Sequence, residues 1–398
     1  MRIAVVTPTV DKQHGTERAV AELIERLVAY HQDQIELYSQ RIADMKAQSL
    51  SNPAATRAGS IRLHRVKSFP GPHLFRFLAW LLLNRRVRKR WPTSDGAKPE
   101  VVFSPGINAF DADVILVHVV FHRVAELQSA RGGFGIRAGH RKLYYALLCS
   151  LENRIYRNRA VKLAAVSPHT AHQLAHYFGR NDVAVIPNGV DREHFHPAAI
   201  AALREHSRAQ LKCAPTDSVV VLIGNDWRNK GLDTVLSAFA QSADLAIRLL
   251  VVGQDDRAPF QSLAVNLGLA DRVQFCSPVT DIRNIYAAAD MLVAPSLEDS
   301  FNLPALEAMS CGVPVIVSAR AGISAWLTDE RDTLLLRDPE NSVELAKAIH
   351  RLATDPAMRQ AIAANGLQTA KQFSWDVHAR ELRRLLAAAA REKALAGR

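Results

Sequence analysis

The chain opens on an apolar run, RIAVVTP at residues 2–8, with the length and continuity of a buried strand. The stretch ERAVAELIERLV follows, and in it Ala19, Leu23 and Leu27 recur at helical spacing with charges on the other face. That is the pattern of a helix burying one stripe. The alternation continues. Residues 35–39 and 61–66 predict strands, and the Ser-, Ala- and Asn-rich residues 47–60 predict a surface loop. HLFRFLAWLLLNRRVRKRW predicts a helix, Val101–Ser104 and Val114–Val117 two buried strands, and residues 141–158 a long helix. Val161–Ser167, residues 168–178 and Val183–Ile186 then read as strand, helix and strand.

Pro187-Asn188-Gly189-Val190-Asp191 is the densest turn signal in the chain. Beyond a helical, polar connector at 198–210, a second alternation begins at Ser218. Its strands are Val219–Ile223, Arg248–Val252, Val273–Phe275, Met291–Ala294, Val313–Val317 and Thr333–Leu336, with a helix over Leu232–Ala240. Near-continuous apolar strands separated by helices belong to parallel sheets covered on both faces. The expectation is an α/β chain of two doubly wound domains with a cleft between them.

Composition adds bounds. A chain of 398 residues suits two cores, and 48% apolar content is that of a globular protein. No stretch has the length and apolarity of a membrane span, and MRIAVVTPTV lacks the regions of a secretory signal. Cys149, Cys213, Cys276 and Cys311 are dispersed without metal-ligand spacing, which predicts reduced thiols in the cytoplasm. The net charge of +11 calls for an acidic partner. No zinc-finger or RNA-binding signature is present, which argues against nucleic acid. A phosphate-bearing substrate or an anionic membrane surface fits better.

The richest chemistry lies in APSLEDSFNLPALEAMSCGVPVIVS, residues 294–318. A strand end passes through an acidic loop into a helix at Pro304, a residue suited to a first helical turn. The reading places Glu307 inside that turn and Asp299 ahead of it. A helix start gathers free N–H groups and dipole at one place, a ready anion site. Two acids beside it suit a ligand with phosphates at one end and hydroxyls at the other. Lys230, with Arg228 close by, sits in a strand-to-helix loop where cations would hold a diphosphate leaving group; a solvated loop lysine is the alternative. Gly15, between the first strand and helix, either lets a ligand approach the backbone or is a plain turn glycine. His118 ends a strand, where side chains face the ligand crevice of open α/β sheets. His122 is its rival, and a structural histidine is the other reading. Asp111-Ala112-Asp113 mimics a metal pair but precedes a strand, where turn acids are common. In the basic helix, Phe75, Phe77, Leu78, Trp80, Leu81 and Leu82 crowd one end and Arg85, Arg86, Arg88, Lys89 and Arg90 the other. This is either an interfacial helix on anionic headgroups or a core helix with a solvated end.

Three segments carry a family resemblance: AVSPHTAHQLAHYF…VAVIPNGVDREHFHP, KGLDTVLSAF and AADMLVAPSLEDSFNLPALEAMSCGVPVIVS. With them, nearly the whole chain resembles a retaining GT-B glycosyltransferase, similar to glycosyltransferase family 4. The resemblance implies two Rossmann-like domains. Residues 1–190 would take the acceptor and 191–375 a nucleotide-diphosphate sugar, with FSWD and the helix at 376–398 crossing back to the first. It implies no catalytic metal and no cofactor beyond the sugar donor. Glu307 would bind the donor ribose and Asp299, where the family usually has Glu, the transferred sugar. The backbone of Phe301, Asn302 and Leu303 would lie beside sugar and phosphates, and Lys230 would bind phosphate. Asn225 stands where the family has an arginine, so Arg228 is the substitute. Gly15 matches a loop glycine near the diphosphate, with His14 replacing its partner. His118 resembles a histidine near the sugar, and Ser277, Pro278 and Val279 a backbone stretch that meets the base.

With no residue resembling a dedicated nucleophile, front-face transfer is expected, the departing phosphate taking the acceptor proton. The acceptor would be a glycolipid, lipopolysaccharide or polysaccharide precursor at the inner face of the cytoplasmic membrane. Paired carboxylates also serve glycoside hydrolases and phosphorylases, and a non-catalytic sugar-nucleotide-binding module is a further alternative. A dehydrogenase is disfavoured, since the first strand lacks a G-x-G-x-x-G loop.

Overall fold

The computed structural model describes residues 1–12, 15–45, 59–89, 98–130, 136–242, 246–277, 279 and 281–397. The chain divides into two compact units, Met1–Gly189 with Trp375–Arg398, and Val190–Ser374.

The first unit is built on seven strands. They are β1 (Arg2–Val6), β3 (Gln34–Ser39), β5 (Ser60–Arg65), β6 (Val101–Pro105), β7 (Val114–Val117), β8 (Lys162–Ala165) and β9 (Ala184–Val185), and all pair in parallel in the order β5-β3-β1-β6-β7-β8-β9. A small ribbon of β2 (Thr9–Val10) and β4 (Arg41–Ile42) stands apart. The helices are α1 (Gly15–His31), α2 (His73–Lys89), α3 (Phe121–Ala130), α4 (Ile136–Tyr156) and α5 (Pro168–Phe178). β1, β6 and β7 are buried along their whole or nearly whole length, which is why they read as continuous apolar runs rather than alternating ones. One face packs on Trp80, Leu81, Leu148 and Tyr156. The chain's last helix (Trp375–Leu395) belongs to this unit and lies along α1. Arg383 donates to the fully buried Asp33 at 2.7 Å and Lys393 to Asp113 at 2.7 Å, fixing that helix by charge at two points. The loop expected at 47–60 falls almost wholly outside the described residues.

The second unit begins with α6 (Pro197–Ala201) and α7 (Arg204–Gln210). The polar connector expected at 198–210 is therefore no free linker. Arg204 and Arg208 both reach the carboxylate of Asp290, at 2.6 and 3.1 Å, and Arg208 also donates to backbone carbonyls. Their polarity serves ion pairs to one carboxylate, half-exposed at Arg204 and largely buried at Arg208, which a pattern of exposed-looking charges does not reveal. Six parallel strands follow, β10 (Ser218–Ile223), β11 (Ile247–Val252), β12 (Val273–Cys276), β13 (Met291–Ala294), β14 (Val315–Ser318) and β15 (Leu334–Leu336), in the order β12-β11-β10-β13-β14-β15. The covering helices are α8 (Leu232–Ala240), α9 (Ala258–Asn266), α10 (Arg283–Ala288), α11 (Leu303–Ser310), α12 (Ser342–Thr354) and α13 (Pro356–Ala370), and the last helix of the chain is α14. Strand order reverses between β10 and β13, which pair directly with Val220 opposite Met291. At such a switch point the loops leaving the two strands part and open a crevice at their carboxyl ends.

Candidate functional site

Lys230 and Asp299 lie on the two loops that leave this switch point. After β10 the chain turns at Gly224 (φ 142°), and a Cβ there would stand 2.8 Å from Cε of Lys230. The lysine side chain lies directly over that glycine. Gly231 (φ 78°) opens α8, and its Cβ would meet the carbonyl oxygen of Pro295 at 2.2 Å. No side chain fits that space, so the loop after β10 and the loop after β13 are in backbone contact. Asn229 and the second loop exchange two further bonds, from Leu297 N–H to the Asn229 carbonyl and from Asn229 Nδ2 to the Glu298 carbonyl, both 2.8 Å. Trp227, wholly buried against Phe260 and Phe275, anchors the polar loop from below, and Asp255 accepts its backbone N–H at 2.7 Å.

On this frame Lys230 Nζ stands 2.6 Å from Oδ2 of Asp299. Asp299 is held from three more sides. Its Oδ1 accepts the Phe301 N–H at 3.2 Å, its Oδ2 accepts from Asn302 Nδ2 at 3.0 Å, and its carbonyl accepts the Gly322 N–H at 2.8 Å. Asn302 adopts a left-handed conformation (φ 78°, ψ 73°), which asparagine tolerates better than most residues, and its Oδ1 caps α11 at the Ala305 N–H. Phe301 is buried against Trp326 and Phe373, so its backbone rather than its ring meets the loop surface. Leu303 is buried as the first residue of α11.

Glu307 differs from its expected place. It lies beyond the first turn of α11, which carries no acid, and is 5% exposed. The hydroxyl of Tyr286 on α10 donates to its Oε2 at 2.7 Å. Tyr286 is a residue that sequence reading missed, because its partner lies 21 positions away on another helix. Cys311 is a free thiol, pushed up to about 12 by burial and by the Glu307 charge; it stays protonated and serves neither as nucleophile nor as ligand.

The remaining candidates divide. Arg228 is exposed and only 3.8 Å from Asp233, apart from the Lys230–Asp299 pair. Asn225 accepts the Gln254 N–H at 2.8 Å and so shapes the neighbouring loop. Val279 is exposed after β12, while Pro278, His14 and Arg90 lie outside the described residues.

Gly15 and His118 belong to the first unit. Gly15 is exposed at the start of α1. His118 follows β7 and is 6% exposed, and burial, with the charge of His378 adding, drives its pKa down to about 3. Asn188 and the Leu116 backbone oppose that shift. Its rival His122 is engaged, with Nδ1 2.8 Å from Glu152 and Nε2 3.1 Å from Asn153. Glu152 also accepts the N–H groups of Phe121 and His122, capping α3. His122, Cys149 and Glu152 gather their ligand atoms within 4.8 Å, but Glu152 already serves three donors and burial raises the Cys149 thiol to about 11. The cluster reads as a helix cap. Asp111 and Asp113 are likewise structural, bound to Arg88 and Lys393.

Arg88 corrects the reading of the basic helix. It is 1% exposed and makes a bidentate pair with Asp111, 2.6 and 2.7 Å, so it presents no charge to a surface. Arg85, Arg86 and Lys89 are exposed on α2, as are Phe75, Leu78 and Leu82 on the same face. Among the described residues no helix is long and apolar enough to cross a membrane.

Two parallel α/β units, one with a crevice at its switch point, have the architecture of the GT-B fold. Solved glycosyltransferase structures share it. WaaG, a glycosyltransferase involved in lipopolysaccharide biosynthesis, matches with a TM-score of 0.78 at 20% identity, covering 96% of this chain and 99% of that one. Anabaena HepE in complex with UDP and glucose matches with 0.70 at 19%, covering 98% and 100%. Residues 14–194 match the family described as Glycosyltransferase Family 4 and residues 217–355 that described as Glycosyl transferases group 1. The chain belongs to this family. Curated relatives include D-inositol 3-phosphate glycosyltransferases of Rhodococcus jostii, 31% identical over 229 residues (54% of this chain, 50% of the relative), and Actinosynnema mirum, 35% over 208 residues (49% of each). The chain thus spans about half the length of the curated relatives it matches.

Proposed function

We propose that this protein is a retaining glycosyltransferase that moves a sugar from a nucleotide-diphosphate sugar to a hydroxyl acceptor without a metal ion. One observation carries the reading: a lysine and an acid from the two loops that leave the switch point of a single unit meet, with the lysine parked on Asp299 at 2.6 Å. A diphosphate is a stronger partner for that ammonium than one carboxylate. On donor binding Lys230 turns to the phosphates, and Asp299 is released to accept from sugar hydroxyls. Glu307, oriented by Tyr286, accepts from the ribose hydroxyls. The bond from the anomeric carbon to the phosphate oxygen breaks, and the acceptor oxygen attacks from the same face. The acceptor proton passes to the departing diphosphate, whose charge Lys230 neutralises; a preorganised contact of this kind is worth about 3–4 kcal/mol.

The acceptor belongs to a glycolipid, lipopolysaccharide or polysaccharide precursor at the inner face of the cytoplasmic membrane. The exposed row of Phe75, Leu78 and Leu82 running into Arg85, Arg86 and Lys89 supports that location, since an apolar face with a cationic end suits an anionic interface. Incubation with a panel of nucleotide sugars and candidate acceptors, read by product mass and anomeric configuration, tests the proposal. The expected product is one glycoside of retained configuration. Cleavage of simple glycosides with no donor consumed would replace it with a hydrolase, and nucleotide binding without turnover with a binding module.

A further inference from the structure

Asn229 joins the two loops that leave the switch point of the second unit. Its carbonyl accepts the Leu297 N–H and its Nδ2 donates to the Glu298 carbonyl, both at 2.8 Å. Asn229 precedes Lys230 in the chain and Glu298 precedes Asp299, so the amide bond sits one position from each member of the ion pair. On the far side of the lysine, a Cβ at Gly231 would stand 2.2 Å from the Pro295 carbonyl oxygen, which holds the main chain in close contact there too. The Lys230 N–H itself is bonded to the Asp226 carbonyl at 2.9 Å. The backbone of Lys230 is thus pinned to the acid loop through the residue before it and the residue after it.

The side chain of Lys230 is held less firmly than its backbone. Its stem lies over Gly224, and its ammonium meets Oδ2 of Asp299 in a pair that keeps side-chain exposures of 20% and 11%. A pair partly open to water is weak and can exchange one anion for another. Asp299 does not depend on it, because the Phe301 N–H and Asn302 Nδ2 still donate to the carboxylate. The register of the loops does depend on it in part. Once the ammonium turns away, that register rests on the link at Asn229. The backbone bond to Leu297 survives any substitution at position 229, whereas the amide bond to Glu298 needs a donor of this length. An acid of the same shape would turn an oxygen toward a carbonyl that only accepts.

We propose that Asn229 is a positioning residue whose amide holds the main chain of Lys230 against the acid loop while the ammonium exchanges Asp299 for a diphosphate. The exchange onto a diphosphate rests on the glycosyl-transfer reading; the clip between the loops does not. Asn229→Asp keeps the shape and removes the donor, and Asn229→Ala removes both; should Asn229→Ala fold poorly, Asn229→Asp is read alone. A half-buried hydrogen bond adds little to the stability of the whole fold, so both variants should melt as the wild type does. In the full-length protein without ligand, amide hydrogen exchange over residues 297–299 should be about tenfold faster in either variant. In calorimetric titrations of UDP, GDP and ADP, either variant should bind the wild type's preferred diphosphate about tenfold more weakly. Lys230→Ala should weaken it at least as much, and Asn229→Asp added to Lys230→Ala should cost nothing more, since a clip that acts through the lysine has nothing to place once the lysine is gone. A residue that only shaped the loop would lower affinity in both backgrounds. Unchanged exchange over residues 297–299, or effects that multiply in the double variant, would overturn the proposal. Failure of the wild type to bind any of the three diphosphates would count against the glycosyl-transfer reading alone, because the exchange measurement needs no ligand.

Discussion

The two units treat polar groups in opposite ways. In the second unit the pair at the switch point is charged and partly open to solvent, with side-chain exposures of 20% for Lys230 and 11% for Asp299. Every atom of that pair is served by a neighbour. In the first unit the cluster at the end of β7, His118 with Asn188 and His378, is uncharged and almost wholly buried, and among the described residues four of its polar atoms have no aligned hydrogen-bond partner. Charge that stays near water suits an anionic ligand that must bind and leave. The difference sets a charged pair within reach of solvent in one unit against neutral, buried groups in the other.

Removing the charged side of that comparison should have the largest effect. Lys230→Ala and Glu307→Ala should each lower transfer at least about a hundredfold in steady-state assays, with circular dichroism unchanged. Tyr286→Phe, which leaves Glu307 in place but removes its 2.7 Å donor, should cost about tenfold, a charge-assisted bond being worth about 1.5–3 kcal/mol. Near-normal rates for Tyr286→Phe would show that Glu307 needs no orienting partner.

The neutral side is tested by acid. Both histidines have folded-state pKa values below their ordinary value of 6.5, so between about pH 6.5 and pH 4 the unfolded chain binds protons that the folded one does not. Stability is therefore fully present above that window and falls with pH inside it, by about 1 kcal/mol per pH unit per histidine. Melting temperature measured against pH should drop across the window in the wild type and drop less in His378→Asn. A flat profile would mean that the rings titrate normally and the cluster is wet.

The smallest effect concerns the surface. Replacing Arg85, Arg86 and Lys89 with Gln should reduce binding to anionic liposomes by about 1 kcal/mol per charge at low salt while leaving stability unchanged. Arg88→Gln should do the reverse and destabilise the fold, because it breaks the buried bidentate pair with Asp111. Equal liposome binding by the triple variant would remove α2 from any membrane role.

How much of this was legible in the sequence follows from how far each interaction reaches along the chain. Strand runs such as Val114–Val117 and the helix at 168–178 are local and read correctly to the residue, because apolar continuity and a Ser-Pro start decide them. Lys230, Asp299 and Glu307 were singled out through their motif, but the ion pair between Lys230 and Asp299 was not foreseen, since it joins positions 69 apart. Arg88 was misread because a basic cluster looks uniformly solvated until tertiary structure brings Asp111 to one member. Nothing local marks the contact of this turn with His378: in sequence Pro187 belongs to a turn signal, and only the return of α14 sets His378 2.9 Å from its carbonyl.

The central claim is that Lys230 is the diphosphate anchor, and calorimetric titration of UDP, GDP and ADP into wild type and Lys230→Ala tests it most directly. The account predicts that one nucleoside diphosphate binds the wild type and that Lys230→Ala weakens it at least about tenfold, with a binding enthalpy that shrinks accordingly. Equal affinity in the two proteins would contradict it and leave Lys230 as a structural partner of Asp299.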